Sequence, residues 1–436
     1  MSHLKPTGSL PSFSRRTLIR GALAAGLAST GAGSLVACGG GGGSSSGGGT
    51  VGGEVTLGVY QGDEVPRKAM QAMIDGYAHG SNVKINFVDH ETFKNNINNY
   101  LQGNPDDVFT WFAGYRARFF AQNGLVSDLS DIWKNFDGMP ESMKNASSTT
   151  DGKQILVPST YYPWGVFYRP SVWQARGYTE PNSKAEWLTL CEKMKADGII
   201  PLAFANKGGW ESMGTFDMMN LRVNGYDFHV SLMAGQEAWD GEKVKNVFKT
   251  WSEFTPFEQP DANGRTWQEG AQALINEQAG MMTLGMFIGQ QFETTQYADD
   301  LDFFIFPEFD PAIGADVVEA PIDGFMMAAK PKNEAGAKDL LTYLASPEAV
   351  NITLQFDPSV IGANSNADQT AYSALQKKAV QIIGEAKNIS QFLDRDTRPD
   401  FASTVVGPAL QSFIQNPADI DKILANVEQQ KKSIFG

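Results

Sequence analysis

Apolar residues along the first third of the chain alternate between the two-residue period of a β-strand and the 3.6-residue period of a helix. Alternating or continuous apolar runs predict strands at 55–60, 83–87 and 107–112. Between them, the helical spacing is carried by Met70, Met73, Ile74 and Tyr77, and then by Phe93, Ile97 and Leu101. Strands and helices in strict succession are typical of βα units, so we expect an α/β fold with a mostly parallel sheet covered on both faces.

The same succession restarts after Pro163. Strands are predicted at 164–168, 280–284, 301–306 and 322–329, a helix at 334–344, and mainly helices in the last 65 residues. Ser183 and Glu186 have the spacing of a capping box, which predicts a helix start at this point. Cys191 shares one face of that helix with Trp187, Leu190 and Met194. We therefore interpret Cys191 as a small buried hydrophobic residue and not as a reactive thiol.

The N-terminal residues have the pattern of an export signal. Residues 14–20 contain the arginine pair Arg15 and Arg16, and an acid-free apolar run follows at 21–37. That run is too short and too rich in glycine to span a bilayer, and it ends in a small and aliphatic box before Cys38. The pattern predicts a twin-arginine lipoprotein signal peptide at 1–38 with lipid attachment at Cys38. Residues 39–53 are mostly Gly and Ser, which predicts a flexible tether.

Composition limits the function classes. The residues from 54 onwards are too many for one ordinary core, which predicts two lobes. The formal net charge is −14, and removal of the leader with its four basic residues makes the mature chain more acidic still. This balance argues against nucleic acid or an anionic membrane surface as a partner. After Cys38 only Cys191 remains, so we expect no intramolecular disulfide.

Motifs of conventional catalysis and of metal binding do not occur in the sequence. We find no His-x-x-x-His, Cys-x-x-Cys, Gly-x-Ser-x-Gly or phosphate-binding glycine loop. We therefore predict a protein without cofactor, metal or catalytic residues. Hydrolysis by a pair of carboxylates needs no such motif, so a carbohydrate-active enzyme stays open as an alternative.

Aromatic and polar residues gather at predicted strand ends and strand-to-helix turns, where open α/β sheets bind ligands. Flat apolar faces with a few carboxylates and amides are suited to a sugar, whose C–H faces pack on rings while its hydroxyls form hydrogen bonds. The predicted ligand-binding residues are Tyr60, Glu64, His90, Trp111, Gly114, Arg116, Tyr162, Trp164, Trp210, Arg222, Met286, Phe287, Asp323, Gly324 and Asp394.

Several of these residues have a structural alternative. Trp111 and Trp164 could belong to the core, His90 could cap the helix that follows it, and Met286 could fill a gap. Asp323 is the strongest candidate for a ligand contact, because an acidic residue inside an apolar strand needs a hydrogen-bonding or charged partner if it is buried. Asp394 lies in a polar stretch between predicted helices, which could reach the cleft or form a solvated loop.

Seven segments together resemble the carbohydrate-specific extracellular solute-binding lipoproteins of ABC importers. They are DVFTWFAG at 107–114, GLVSDL at 124–129, YPWGVFY at 162–168, GIIPLA at 198–203, NLR at 220–222, EQAGMM at 277–282 and APIDGF at 320–325. Each segment alone is a weak signal, whereas their order and spacing are specific. The resemblance implies a two-lobed periplasmic-binding-protein fold of the class II type, with a ligand cleft between lobes joined by hinge crossovers.

The resemblance also implies the organisation and the partners. Lobe 1 would comprise 54–160 and 322–365, and lobe 2 would comprise 161–321 and 366–436. The protein would be a monomer at the outer face of the cytoplasmic membrane, attached through its lipid only. It would capture a mono- or oligosaccharide, close on it by hinge motion, and deliver it to the transmembrane subunits of an ABC permease.

Two other ligand classes compete with a sugar. A polyol or a glycerol phosphodiester would fit the same fold, although a phosphate favours a more cationic cleft. The adjacent Tyr161 and Tyr162 could bind ferric ion through their phenolates, but this would need further His or carboxylate ligands nearby.

Overall fold

The structure, a computed structural model, describes residues 48–436. The predicted export signal with Arg15 and Arg16, the lipidation site Cys38 and the tether up to residue 47 therefore lie outside the described residues. Among the described residues, no helix is both long and apolar enough to cross a lipid bilayer.

Twelve strands and nineteen α-helices make up the described region. The strands are β1 (Val55–Val59), β2 (Val83–Phe87), β3 (Val108–Phe112), β4 (Val157–Tyr161), β5 (Trp164–Tyr168), β6 (Ile200–Ala203), β7 (Ala279–Gly285), β8 (Asp302–Phe304), β9 (Val317–Glu319), β10 (Ile322–Met327), β11 (Ile361–Gly362) and β12 (Asn388–Ser390). The first helices are α1 (Glu64–Asp75), α2 (His90–Gln102), α3 (Tyr115–Gln122), α4 (Ser130–Trp133), α5 (Glu141–Ala146), α6 (Pro170–Arg176), α7 (Lys184–Ala196), α8 (Glu211–Asn224), α9 (Tyr226–Met233) and α10 (Glu242–Ser252). The remaining helices are α11 (Trp267–Ile275), α12 (Gly289–Glu293), α13 (Glu334–Leu344), α14 (Pro347–Phe356), α15 (Ala374–Glu385), α16 (Leu393–Asp396), α17 (Pro399–Phe401), α18 (Gly407–Gln415) and α19 (Ile420–Phe435).

The first sheet has six strands in the order β11-β4-β10-β3-β1-β2. β1 runs parallel to β2 and β3, whereas β10 runs antiparallel to both of its neighbours, β3 and β4. Apolar side chains of α1, α13 and α14 cover one face of this sheet, and those of α2 and α3 cover the other. The sheet and its helices form the first lobe.

The second sheet has four strands in the order β6-β7-β5-β8, and one large apolar core joins it to α7, α8, α10 and the C-terminal helices. A separate pair, β9 and β12, lies beside it. The chain passes between the two lobes from β4 to β5, from β9 to β10, and again after β11. At each of these crossings, consecutive strands belong to different lobes, which places their ends at the boundary between the lobes.

Two expectations about local structure need correction. The sheets are mixed and not mostly parallel, because β10 enters the first sheet antiparallel after a long excursion through the second lobe. The capping box at α7 is only half formed: the Ser183 hydroxyl accepts a hydrogen bond from the backbone amide of Glu186, but the Glu186 carboxylate accepts from the amide of Asn182.

Cys191 is fully buried and burial raises its pKa to about 12, as expected of an inert thiol.

Gly324 is expected to tolerate no side chain, because β10 passes close to β4 at this point. A Cβ on Gly324 would lie 2.1 Å from the backbone oxygen of Val157. We expect Gly324→Ala to lower the free energy of unfolding by about 2–3 kcal/mol, measured by urea denaturation. Gly384 in α15 is the matched control, since a Cβ there would have nothing within 4 Å. Its replacement by Ala should leave stability unchanged or raise it by up to about 1 kcal/mol; equal losses at both positions would contradict the steric argument.

Candidate functional site

A cavity of about 660 Å³ lies between the two lobes. Strand ends of the first sheet, the N-terminal ends of α2, α8 and α11, and the segment containing α16 surround it. The side chains that line it include Tyr60, Asp63, Asp89, His90, Glu91, Lys94, Tyr162, Trp164, Lys207, Trp210, Glu211, Trp267, Gln268, Phe287, Asp323, Asp357, Phe392, Asp394 and Arg395.

Aromatic rings form the wall of the cavity on the side of the second lobe. The Trp164 ring stacks on Phe392 with centroids 5.0 Å apart and meets Phe287 and Trp210 edge to face at 6.2 and 6.4 Å. Trp164 is only 1% exposed, so it forms the floor of the cavity. Trp210 and Phe287 are half-buried and present ring surface to the cavity. Flat apolar faces of this kind are suited to the C–H face of a pyranose.

Trp267 extends this wall at the first position of α11. Its ring meets Phe287 edge to face with centroids 5.2 Å apart. The helix start is fixed by a complete capping box, in which the Thr266 hydroxyl accepts from the amide of Glu269 and the Glu269 carboxylate accepts from the amide of Thr266. The cap therefore holds the Trp267 ring at the edge of the cavity.

An ion pair between Asp323 and Arg395 forms the polar centre of the site. An Arg395 guanidinium N–H donates to Asp323 Oδ1 over 2.9 Å, and a second donates to the Tyr162 hydroxyl, also over 2.9 Å. The Tyr60 hydroxyl donates to the same Asp323 oxygen. Burial alone would lower the pKa of Arg395, but Asp323 together with Tyr162, Tyr60 and Asp394 outweighs burial and raises that pKa above its ordinary value. Burial and the Asp323 charge together raise the pKa of Tyr60, so both tyrosines stay protonated.

Lys94 and Asp394 form a second charged contact, between α2 and the α16 segment. Their side chains are 2.7 Å apart, and the Lys94 ammonium lies 5.9 Å from the centre of the Trp210 ring. Burial favours the neutral form of Asp394, but Lys94 and Arg116 lower its pKa below the ordinary value. The Lys94 contact with Asp394 ties the first lobe to the segment that also supplies Arg395.

The two lobes also meet at the rim. The Gln268 amide at the start of α11 donates to the carboxylate of Asp63, which precedes α1, at 3.3 and 3.4 Å from the two oxygens. Asp63 belongs to the first lobe and Gln268 to the second. This contact spans the cleft and narrows its opening.

Nine of the predicted ligand-binding residues line the cavity: Tyr60, His90, Tyr162, Trp164, Trp210, Phe287, Asp323, Gly324 and Asp394. His90 does not cap α2, because that role falls to the Asp89 carboxylate, which accepts from the amide of Thr92. Instead the His90 ring packs edge to face on Tyr60 with centroids 4.8 Å apart. Burial, with the nearby charges of Lys94 and Arg395, lowers the pKa of His90, which keeps the ring neutral.

Six predicted residues do not line the cavity. Trp111 and Met286 are fully buried in the cores of their lobes, where their size fills space. Glu64 lies on the surface and pairs with Lys68 on the next turn of α1. Arg222 is buried and donates to the backbone oxygens of Phe306 and Val317, so it joins chain segments and does not face a ligand.

The other two lie directly behind the site. Arg116 is buried, with its guanidinium 5.3 Å from the Trp111 ring centre and 3.8 Å from Asp394. Gly114 has φ of +116°, and a Cβ there would lie 2.5 Å from the backbone oxygen of Arg395. Both residues thus position the segment that carries Asp394 and Arg395, and neither contacts the cavity.

The sequence-based prediction missed several residues of the cavity, above all Arg395, Glu211, Trp267, Lys94 and Phe392. Arg395 stands next to the predicted Asp394, but its partner Asp323 is 72 residues away, so no local pattern reveals the pair. Trp267 had a usable signal, an aromatic residue placed directly after the N-cap of a helix with Thr-x-x-Glu spacing.

Acidic side chains outnumber basic ones around the cavity. Seven carboxylates line it (Asp63, Asp89, Glu91, Glu211, Asp323, Asp357 and Asp394) against three basic residues (Lys94, Lys207 and Arg395). Lys94 and Arg395 are already paired with aspartates. A site of this charge disfavours a phosphate-bearing ligand and favours a neutral, hydroxyl-rich one. Within residues 48–436, His, Cys, Asp and Glu side chains form no cluster of three or more that could hold a metal ion.

Comparisons with known proteins agree with this geometry. Residues 61–351 match the family described as bacterial extracellular solute-binding protein. The chain is 42% identical to the bacterial solute receptor AcbH, whose crystal structures are described with an exclusive substrate preference for β-D-galactopyranose; the TM-score is 0.86, and the match covers 88% of this chain and 100% of that one. A chitin oligosaccharide binding protein shares the fold with a TM-score of 0.77 at 20% identity, over 87% of this chain and 98% of that chain.

Two curated relatives are more distant. An uncharacterized ABC transporter extracellular-binding protein of Pyrococcus horikoshii is 23% identical over 66% of this chain and 65% of the relative. A probable sugar-binding periplasmic protein of Mesorhizobium japonicum is 22% identical over 63% of this chain and 66% of the relative. The matches thus span about two thirds of these relatives. The two-lobed α/β architecture predicted from the sequence is confirmed by the solved structures, and the chain belongs to the family of bacterial extracellular solute-binding proteins.

Proposed function

We propose that this protein is the substrate-binding component of an ABC sugar importer. The observation that carries the proposal is the combination, in one interlobe cavity, of an aromatic wall with an ordered Asp323–Arg395 pair. The wall offers flat surface to the C–H faces of a sugar, and the ion pair and its tyrosines offer fixed hydrogen-bonding atoms to the hydroxyls. Binding, and not turnover, is the chemistry that this arrangement supports.

A galactopyranose is the first ligand to test. The relative AcbH shares 42% of its residues with this chain and is described as preferring β-D-galactopyranose. The paired state of Lys94 and Arg395 favours a neutral pyranose over a phosphodiester. The contact between Asp63 and Gln268 across the rim favours a short ligand, since a long oligosaccharide would have to displace it.

The transport role follows from the family. The protein would close on its sugar by hinge motion of lobe 1 (54–160 and 322–365) against lobe 2 (161–321 and 366–436), and then dock on the permease. Export through the signal at 1–38 and lipidation at Cys38 would hold it, as a monomer, at the outer face of the cytoplasmic membrane. The acidic balance of the chain argues against nucleic acid as a partner.

A thermal-unfolding panel of monosaccharides, oligosaccharides, polyols and amino acids tests the ligand class. At about 100 times its dissociation constant, the ligand should add about 2.7 kcal/mol to the stability of the folded state. We expect D-galactose to raise the unfolding temperature by a few degrees. A shift with a polyol alone would keep the binding role and overturn the sugar. No shift with any compound would overturn the binding proposal.

Trp210→Ala is expected to weaken galactose binding by about 1–3 kcal/mol, because it removes a ring face that lines the cavity. Trp210 is half-buried; it meets Trp164 edge to face and Phe287 at a tilt of 53°. The unfolding temperature without ligand should therefore change less than the affinity does. Isothermal titration of wild type and variant measures the effect, and unchanged affinity would place the sugar away from this wall.

A further inference from the structure

Two acidic side chains with unsatisfied oxygens face the cavity from opposite lobes. Glu211, the first residue of α8 in the second lobe, is 4% exposed. Its Oε1 accepts from the backbone amide of Gly208 over 3.3 Å, but Oε2 is buried and no hydrogen-bond partner lies within reach of it in the described chain. Glu91 on α2 of the first lobe also has a buried oxygen, Oε1, without a hydrogen bond. Both residues line the cavity.

The surrounding charges do not neutralise this pair. Lys94 lies 3.9 Å from Glu91 Oε1, but its stronger contact is with Asp394 at 2.7 Å. The other charged or titratable groups of the neighbourhood are Asp89 and His90 at the start of α2, Arg116 on α3, Lys207 before α8 and Arg395 on α16. Arg116 is itself occupied by Asp394 and the Trp111 ring, and Arg395 by Asp323.

We propose that Glu91 and Glu211 form a subsite for hydroxyl groups of a neutral pyranose, with Glu211 Oε2 hydrogen-bonded to one ligand hydroxyl. This inference rests on the sugar-binding function proposed above and adds the residues that form hydrogen bonds to the hydroxyl groups along one edge of the sugar. A buried carboxyl oxygen without a partner is costly, so a ligand hydroxyl that satisfies it contributes more than one offered to a solvated group. Because the two residues belong to different lobes, a ligand held between them favours the closed arrangement.

A dependence of affinity on pH follows. Burial raises the pKa of Glu211 to about 7, with a smaller contribution in the same direction from Glu91 and an opposing one from Lys94. Burial also raises the pKa of Glu91. We expect separation of the lobes to let solvent reach Glu211, which would move its pKa back towards the ordinary value for glutamate. Closure on a neutral sugar therefore takes up a proton, so affinity is highest at low pH and falls as pH rises towards 7.

Calorimetric titration of D-galactose at pH 5.5 and 7.5 tests the subsite in wild type, Glu211→Gln and Glu211→Ala. For wild type we expect a several-fold higher affinity at pH 5.5, because burial in the closed form raises the pKa of Glu211 above its value in the open form. Glu211→Gln keeps an acceptor oxygen but cannot titrate, so it should bind within about threefold of wild type at pH 5.5 and lose most of the pH dependence. Glu211→Ala should bind at least about tenfold more weakly at pH 5.5. Glu192→Gln, an exposed site on α7, is the matched control and should behave as wild type.

The affinities for deoxy-galactoses, relative to galactose, test direct contact between Glu211 and the ligand. A purely structural role of Glu211 would not change these relative affinities. Wild type should lose affinity for one deoxy sugar in particular, and Glu211→Ala should no longer distinguish that compound from galactose. Equal discrimination by wild type and Glu211→Ala, or the same pH dependence in Glu211→Gln and wild type, would overturn the subsite. If wild type binds no sugar at either pH, the proposed function itself fails, and the two failures are thereby distinguished.

Discussion

Replacing Arg395 by alanine is expected to lower the free energy of unfolding by about 3 kcal/mol and to weaken galactose binding about 100-fold. The side chain is 8% exposed and holds Asp323 and Tyr162 at 2.9 Å each. Its removal leaves the Asp323 carboxylate without its cation in a partly buried site, and the penalty of that uncompensated charge dominates the loss. Urea denaturation and calorimetric titration with D-galactose measure the two effects.

Arg398, three residues further along the chain, is the matched control. It pairs with Asp400 at the surface, where the two side chains are 30% and 49% exposed. Arg398 also donates to the backbone oxygen of Ile434 over 2.8 Å. Loss of this bond and of the exposed ion pair should cost about 1–2 kcal/mol, less than Arg395→Ala, and leave galactose affinity unchanged. Equal effects of the two substitutions would contradict a specific role of the Asp323–Arg395 pair. They would show that any change in residues 395–398 lowers stability and galactose affinity.

Trp164→Ala is expected to lower the free energy of unfolding by about 3–5 kcal/mol, the range for a buried tryptophan replaced by alanine. The ring is almost fully buried between Phe392 and α8, where a Cβ on Gly214 would lie 2.2 Å from the ring. The small residue on α8 thus makes room for the large ring, and the substitution leaves a cavity in its place. Chemical denaturation without ligand measures the cost.

Trp267→Ala separates stability from binding on the same aromatic wall. Trp267 is half-buried at the N-terminus of α11 and contacts Phe287 by its edge. We expect less than half the loss of stability seen with Trp164→Ala, together with weaker galactose binding. A larger loss of stability for Trp267→Ala than for Trp164→Ala would contradict the assignment of Trp164 as floor and Trp267 as wall.

The candidate site could be predicted in part because some of its residues break a local pattern. Asp323 interrupts an apolar strand, and Tyr162, Trp164 and Trp210 occupy turns and strand ends where polar or small residues are common. Trp111 also lies near a strand end, yet it belongs to the core, and Arg222, in the last turn of α8, joins backbone segments. The sequence shows which side chains lie at strand ends. It does not show whether a further layer of helices or strands buries them, because that layer comes from elements far away in sequence.

The partners of the charged groups could not be predicted at all. Arg395 meets Asp323 and Tyr162, and Lys94 meets Asp394, over separations in sequence of 72 to 300 residues. Glu211 has the ordinary sequence signature of an acidic residue in the first turn of a helix, which predicts a solvated side chain at the positive end of the dipole. Its burial and its raised pKa come from packing between the lobes.

The sequence by itself determined the order of strands and helices and the aromatic residues at their ends, because hydrophobic period and turn chemistry act over a few residues. The two lobes followed from the length of the chain and from its resemblance to a family. Tertiary structure alone decided the mixed direction of the sheets, which aromatic rings face the cavity, and which carboxylates find a cation. Those features depend on the three passages of the chain between the lobes, which bring together residues that no local interaction connects.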